Sequence, residues 1–306
     1  ATVHYKDFGR PEALPRYLLK RTVRIYPTYW AIGIAVSLAA LAVPSLAQSL
    51  PSDAIVFLKA LALIPQDPGV VGGLGAPILF VAWSLQYEML FYAVIALFIV
   101  HRGLGLLAAT LLLLVNLRCQ FGSACSFPAA FLANNMIFLF AMGVGVAYVV
   151  RSRLRLPRPR LVAALATAAF VGFGALEVWV GREVLPVDRR LVYGMLASVV
   201  VFALARAEDT GALVVVRRWP ALLGDSSYAL YLLHIPVIAV SCKLLVHLGV
   251  SNRIVLVGAF VGVALACVLA SLLFYLLIER HILARLSLAL QRPKGRFAAA
   301  RTRGLA

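Results

Sequence analysis

Apolar stretches of about 20 residues recur along the chain, near 26–44, 81–100, 103–117, 129–150, 160–180, 190–206, 228–247 and 253–278. A helix of that length, at 1.5 Å per residue, crosses about 30 Å of hydrocarbon. The pattern predicts an all-α, polytopic transmembrane helix bundle of about eight spans, the third of them short. The segment AIVFLKALALI (54–64) is apolar but too short to cross, and it carries Lys59. It reads as an interfacial or re-entrant helix in the long 45–80 connection. GVVGGLGAP (69–77) then makes a flexible approach to the second span. Ahead of the first span, residues 11–30 are amphipathic: Leu14, Leu18, Leu19, Val23 and Ile25 interleave with Arg16, Lys20, Arg21 and Arg24.

Composition supports this reading. Of 306 residues, 63% are hydrophobic and 13% charged, against roughly 45–50% and about 25% in an average soluble domain. The mean hydropathy is +0.95. Short loops leave little room for a separate soluble domain, so 1–306 reads as one integral-membrane domain. The formal charge of +17 is explained by topology. With the N-terminus inside, 22 Lys and Arg fall on inside segments and 6 on outside ones, Lys243 lying within a span. Both termini are then cytoplasmic, and 279–306 is a basic cytoplasmic tail. RSRLRLPRPR (151–160) and RPKGRFAAARTR (292–303) become cytoplasmic anchors for acidic lipid headgroups, not nucleic-acid patches. Four cysteines form no CxxC pair and no His/Cys cluster, so no metal site is expected. Cys119 and Cys125 share one outside loop, either as a disulfide or as two thiols. Cys242 and Cys267 read as small hydrophobes.

Ionisable groups inside a bilayer are costly, so each is a candidate site. Glu88 sits in VAWSLQYEMLFY (81–92), about two turns into the second span. It is either an acid paired with Lys or Arg to lock two helices, or a carboxylate that orients or activates a hydroxyl. Trp83 and Tyr87 are placed to wall such a site, and Ser84 lies one turn from Glu88 on the same face. His234 sits in SSYALYLLHIPV (226–237) and shares a face with Ser227 and Tyr231. Its bland alternative is a neutral core histidine bonded to a neighbouring helix. Pro236 frees a nearby carbonyl, and Asp225 or Ser226 is the expected N-cap. Arg21 and Arg24, one turn apart at the inner mouth of the first span, are either a topology flank or an anion clamp for phosphate. Asn134 and Asn135 open the fourth span at its outer end, where Asn134 either caps a loop or touches an outer-facing polar substrate. Glu177 closes the fifth there. Walker, HExxH and GxSxG motifs are missing.

Three segments together, KRTVRIYPTYW (20–30), WSLQYEMLFY (83–92) and GDSSYALYLLHIPV (224–237), resemble the membrane-bound acyltransferase family 3, the O-acetylases of bacterial polysaccharides, in its exopolysaccharide flavour. The resemblance spans nearly the whole chain. It implies transfer of an acyl group, usually acetyl, from cytoplasmic acetyl-coenzyme A to a sugar hydroxyl at the outer face of the bacterial inner membrane. Arg21 and Arg24 match the family's Arg pair for coenzyme A phosphate. Trp83, Ser84 and Glu88 match its Trp-Ser-Leu-x-x-Glu element, and Ser227, Tyr228, Tyr231 and His234 its Ser-Tyr-x-x-Tyr-x-x-His element.

The resemblance also implies ten spans, with a catalytic histidine on the first. This chain opens on ATVHYKDFGRPEALPRYLLKR, which looks like the linker after a second span, so an N-terminally incomplete member is expected. His4 lies too early to replace that histidine. The catalytic set expected in this chain is Glu88, His234 and Tyr231. Arg21 and Arg24 hold acyl-coenzyme A as co-substrate, and Trp83, Ser84, Tyr87 and Tyr228 line the substrate pocket. The rivals are a transporter or flippase of a lipid-linked sugar, and a non-catalytic partner in polysaccharide export. Neither half of the chain resembles the other, which disfavours a two-repeat transporter.

Overall fold

The protein is described by a computed structural model covering residues 5–42, 51, 53–122, 124–152, 154–181, 188–211, 218–250 and 252–291. Its helices are α1 (Leu14–Ala42), α2 (Ala54–Leu61), α3 (Ala82–Val100), α4 (Arg102–Phe121), α5 (Met136–Arg151), α6 (Pro159–Val180), α7 (Arg189–Asp209), α8 (Arg218–Asp225), α9 (Ser227–His247), α10 (Arg253–Phe274) and α11 (Arg280–Gln291). Short helical turns occupy Pro68–Val71 and Ala129–Leu132, and a π-helical turn, Tyr275–Glu279, joins α10 to α11. There is no strand among the described residues. The architecture is the expected all-α polytopic bundle.

Among the described residues, seven helices are long and apolar enough to cross a membrane. The first expected span, α1, is 29 residues long and uncharged from Ile25 to Ala42, but it is not among those seven. The third span, α4, reaches a full 20 residues, longer than the sequence pattern suggested. Two boundaries differ from expectation. The amphipathic segment before the first span is not a separate element: one helix continues through Pro27. The last span does not stop at 278 but carries on through the π turn into α11. The basic run 292–303 and His4 lie outside the described residues.

The chain divides into two compact units: 1–17, 62–76 and 83–217 in one, 18–61, 77–82 and 218–306 in the other. In the first unit, α7 packs against α6 and α5. Small buried residues, Ala163 and Ala166 on α6 with Ala203 and Ala207 on α7, allow close approach where no hydrophobic force separates helix from lipid. Helix ends are satisfied locally. Asp188 caps α7 by accepting from the Arg190 amide at 3.0 Å. The buried Arg206 guanidinium donates to the Val149 carbonyl at 3.0 Å, meeting one of the orphan acceptors at the end of α5. Cys119, in the last turn of α4, forms a disulfide with Cys125 beyond the helix end. Leu106, Leu107 and Leu114 on α4, and Val171 and Val178 on α6, are exposed, as lipid-facing positions are.

In the second unit, α2 resolves the choice between interfacial and re-entrant. The Tyr29 hydroxyl donates to the Ala60 carbonyl at 2.7 Å, and the Trp30 indole N–H to the Leu61 carbonyl at 2.9 Å. These are C-terminal carbonyls of α2, which would otherwise face hydrocarbon unpaired. Tyr29 and Trp30 lie about 18–20 Å along α1 from Ala42 at 1.5 Å per residue. So α2 dips back beside the uncharged part of α1.

The turn from α3 into α4 depends on Gly105. A Cβ there would run into the Phe98 ring, which is itself stacked on Phe8 at 5.2 Å. Gly105→Ala is expected to destabilise by about 1–3 kcal/mol through overpacking. Gly145→Ala on α5, with nothing within 4 Å of its Cβ, should be neutral or better. Thermal unfolding in detergent, read side by side, checks the difference.

Candidate functional site

The second unit holds the inner arginines. Arg21 and Arg24 share a face of α1, one turn apart, with Arg24 exposed and Arg21 half-buried. Thr28 follows on that face at i+4 from Arg24 and is fully buried. Its hydroxyl donates to Oε1 of Glu279 at 3.0 Å. Glu279 is only 3% exposed, and its Oε2 has no hydrogen-bond partner. Arg24 acts on it electrostatically. The sequence reading missed Glu279 because it ended the last span at 278 and counted the acid as cytoplasmic. The available signal was its setting, YLLIERH, a lone acid directly after an apolar run. The π turn that carries it is a common device for re-aiming a side chain at functional places.

Helix α9 supplies the second cluster of this unit. The Tyr228 hydroxyl donates to the Ile25 carbonyl at 3.1 Å, and the Tyr231 hydroxyl to the Val81 carbonyl at 2.8 Å. These two tyrosines therefore tie α9 to α1 and to the segment before α3. Nδ1 of His234 lies 2.7 Å from the Tyr231 carbonyl and 3.2 Å from that of Leu230. Carbonyls only accept, so in this geometry Nδ1 carries a proton and donates it. The ring bonds its own helix, not the neighbouring helix of the bland alternative. Ser226 is the N-cap residue but does not cap with its side chain; its hydroxyl turns back to the Leu223 carbonyl at 3.2 Å.

The first unit holds Glu88, half-buried on α3. The expected ion pair is not there: among the described residues Glu88 pairs with no Lys or Arg. Instead the Tyr92 hydroxyl, one turn on, donates to its Oε1. Tyr92 is held in turn by Tyr17, edge-to-face at 6.3 Å, whose hydroxyl reaches the Tyr92 carbonyl at 3.3 Å. Trp83 meets Tyr87 edge-on at 6.1 Å, and Tyr87 stacks on Phe131 at 4.3 Å. The Tyr87 hydroxyl reaches the Asn134 amide. Ser84 is half-buried on the same helix.

Asn134 does cap, accepting from the Met136 amide at 3.1 Å at the start of α5. It also sits 3.5 Å from Arg190. Asn135 donates to Asp188 at 2.6 Å and accepts from Gln120 at 3.1 Å. Glu177 is engaged at both oxygens, by Arg189 and by the Tyr193 hydroxyl, each at 2.7 Å. The second candidate pocket region is thus an amide-rich group at one end of α4 to α7, opposite the ends carrying Arg151 and Arg206.

A family model described as an acyltransferase domain, family 3 in its series, matches residues 5–276. The chain belongs to this acyltransferase family. It is also 30% identical over 283 residues to the exopolysaccharide production protein ExoZ of Rhizobium meliloti (strain 1021), covering 88% of this chain and 81% of that protein. No solved structure matches. Membership makes the chain a multi-pass membrane acyltransferase and gives the buried acid and arginines a chemical context.

The Thr28–Glu279 bond can be tested apart from activity. Thr28→Val removes the donor and leaves Oε1 buried without it, at an expected cost of about 1–3 kcal/mol. Thr28→Ser keeps the hydroxyl and should lose less than half of that. Thermal midpoints of the two variants in detergent decide.

Proposed function

We propose that this protein moves an acyl group, acetyl in the simplest case, from cytoplasmic acyl-coenzyme A to a hydroxyl of an exopolysaccharide sugar, in the inner membrane of a bacterium. The observation that carries the reading is Glu88: a half-buried carboxylate in an apolar span, hydrogen-bonded by Tyr92 and not neutralised by a cation among the described residues. Such a group is free to accept a hydrogen bond from a substrate hydroxyl. The relative named for exopolysaccharide production supports the choice of acceptor class.

In the reaction the hydroxyl oxygen attacks the thioester carbonyl. A C–O bond forms, the C–S bond breaks, and coenzyme A leaves as its thiol, taking up the equivalent of the hydroxyl proton. Arg21 and Arg24 hold the coenzyme's phosphates by charge-assisted hydrogen bonds. Glu88 accepts the hydrogen bond of the attacking hydroxyl and favours its loss of the proton. Tyr92 fixes the carboxylate's orientation through Oε1 and leaves Oε2 to face substrate. Trp83, Ser84 and Tyr87 surround that acid. His234 and Tyr231 on α9 are the further residues this reading assigns to the reaction, and Tyr228 holds α9 against α1. The thioester is already activated, so the scheme calls on no metal or bound cofactor.

The test is acetylation of exopolysaccharide in sealed vesicles supplied with acetyl-coenzyme A. Glu88→Gln is expected to lower kcat by roughly 10²–10⁴-fold, the range of general acid–base catalysis. Arg24→Ala is expected to raise the KM for acetyl-coenzyme A about tenfold or more, one charge-assisted contact being worth about that factor. Undiminished activity in both variants would remove these assignments. Failure of the purified protein to bind coenzyme A would favour a transporter or a non-catalytic export partner.

A further inference from the structure

The ends of α4, α5 and α7 in the first unit enclose an open cleft of about 300 Å³. Its polar lining is Gln120, Asn134, Asn135 and Arg190, and the Cys119–Cys125 disulfide forms part of its wall. The mechanism proposed above uses none of these residues. The charge distribution places this end of the unit outside, away from the arginine-rich 151–160 segment.

Two arginines begin α7, and they are treated differently. Arg189 is matched by Glu177 at 2.7 Å. Arg190 is exposed and lines the cleft, with the Asn134 amide oxygen 3.5 Å away and no acidic partner among the described residues. The nearest acid in sequence, Asp188, is occupied: one oxygen takes the Asn135 amide at 2.6 Å, the other the Arg190 backbone N–H at 3.0 Å. The cleft therefore offers one guanidinium without a carboxylate partner among the described residues, beside three carboxamides that are each partly engaged but keep further donor or acceptor capacity. Behind Asn134 stand two stacked rings, Tyr87 and Phe131. Carboxamides pair with hydroxyls as both donor and acceptor, and a guanidinium pairs bidentately with a carboxylate.

We propose that this cleft is the acceptor subsite and that it takes a carboxylate-bearing sugar of the glycan, such as a hexuronate, with Arg190 on the carboxylate and the carboxamides on the hydroxyls. The proposal rests on the acyltransferase reading, since it names the acceptor of that reaction. It also links acceptor and acid by sequence: Tyr87 reaches Asn134 on the cleft's edge, and Glu88 is the next residue on α3. A lipid headgroup phosphate is the competing occupant for Arg190, but it would leave the carboxamides with little to recognise.

The experiment is saccharide binding to the full chain in nanodiscs, with no acyl-coenzyme A present. Trigalacturonate is the acidic probe and maltotriose the neutral one, in phosphatidylcholine discs with and without phosphatidylglycerol. Trigalacturonate is expected to bind at least about tenfold tighter than maltotriose, and Arg190→Gln to erase that preference. Equal binding of the two sugars, no effect of Arg190→Gln, or no saccharide binding overturns the proposal. Displacement of trigalacturonate by phosphatidylglycerol also overturns it, by assigning the cleft to lipid. Coenzyme A binding, measured on the same discs, separates the two levels. If it persists while saccharide binding fails, only the cleft is lost; if it fails in the wild type, the enzyme reading itself is lost.

Discussion

Hydrocarbon offers nothing for a peptide N–H or C=O to bond, and that constraint governs each departure from plain helix in this protein. Regular spans satisfy it internally. Where a helix ends inside the apolar layer, a side chain must do so. The end of α2 is met by the Tyr29 hydroxyl and the Trp30 indole. Tyr29 and Trp30 of α1 are thus hydrogen-bond donors to the end of α2. They supply a polar tip on an apolar body, the combination a buried helix end requires.

The same constraint explains why the fold was legible and where legibility stopped. Seven of the eight apolar stretches translate directly into helices long and apolar enough to cross, among the described residues, because length and hydropathy define such a helix. Boundaries were harder. Residues 14–25 and 26–42 differ in polarity, yet they lie on one helix. Backbone continuity depends on local hydrogen bonding, and Pro27 removes one amide donor without forcing a break. At the other end, Glu279 looked like the first cytoplasmic residue because a charge usually marks the edge of the layer. Its burial comes from Thr28, 251 residues away in sequence, and a pattern read along one segment does not contain that partner.

The candidate sites divide in a similar way. Glu88, Arg21, Arg24 and His234 stood out because ionisable groups in apolar segments are conspicuous. Their partners did not. A lysine or arginine seemed the natural companion for Glu88, yet a tyrosine one turn away in the same helix serves. A hydroxyl donor meets one oxygen of the carboxyl group, Oε1, and brings no opposing charge to it. For His234, the ring bonds carbonyls three and four residues back, so the helix itself holds the Nδ1 proton. Asn134 was expected to be either a cap or a substrate contact. Its Oδ1 caps α5 while the side chain also faces Tyr87 and Arg190, so the two roles are compatible.

Glu279 has a further consequence for the arginine pair. A carboxylate this deeply buried, with one hydrogen bond and one oxygen lacking a partner, is not a stability device, because desolvation exceeds what a single donor returns. The Thr28 hydroxyl and, more weakly, the exposed Arg24 guanidinium offset part of that desolvation. Any anion that binds Arg24 changes its field at Glu279, and any change in the charge of Glu279 changes the affinity of Arg24 for the anion. Linkage makes the two effects equal in free energy. Thr28 lies on the same face of α1, one turn from Arg24, and fixes the carboxylate at Oε1. The coupling therefore runs through a rigid helix and one hydrogen bond, with no need for a moving part. In the reading in which Arg21 and Arg24 hold coenzyme A, its binding would be felt at the π turn between α10 and α11, an element the Arg-x-x-Arg spacing alone does not implicate.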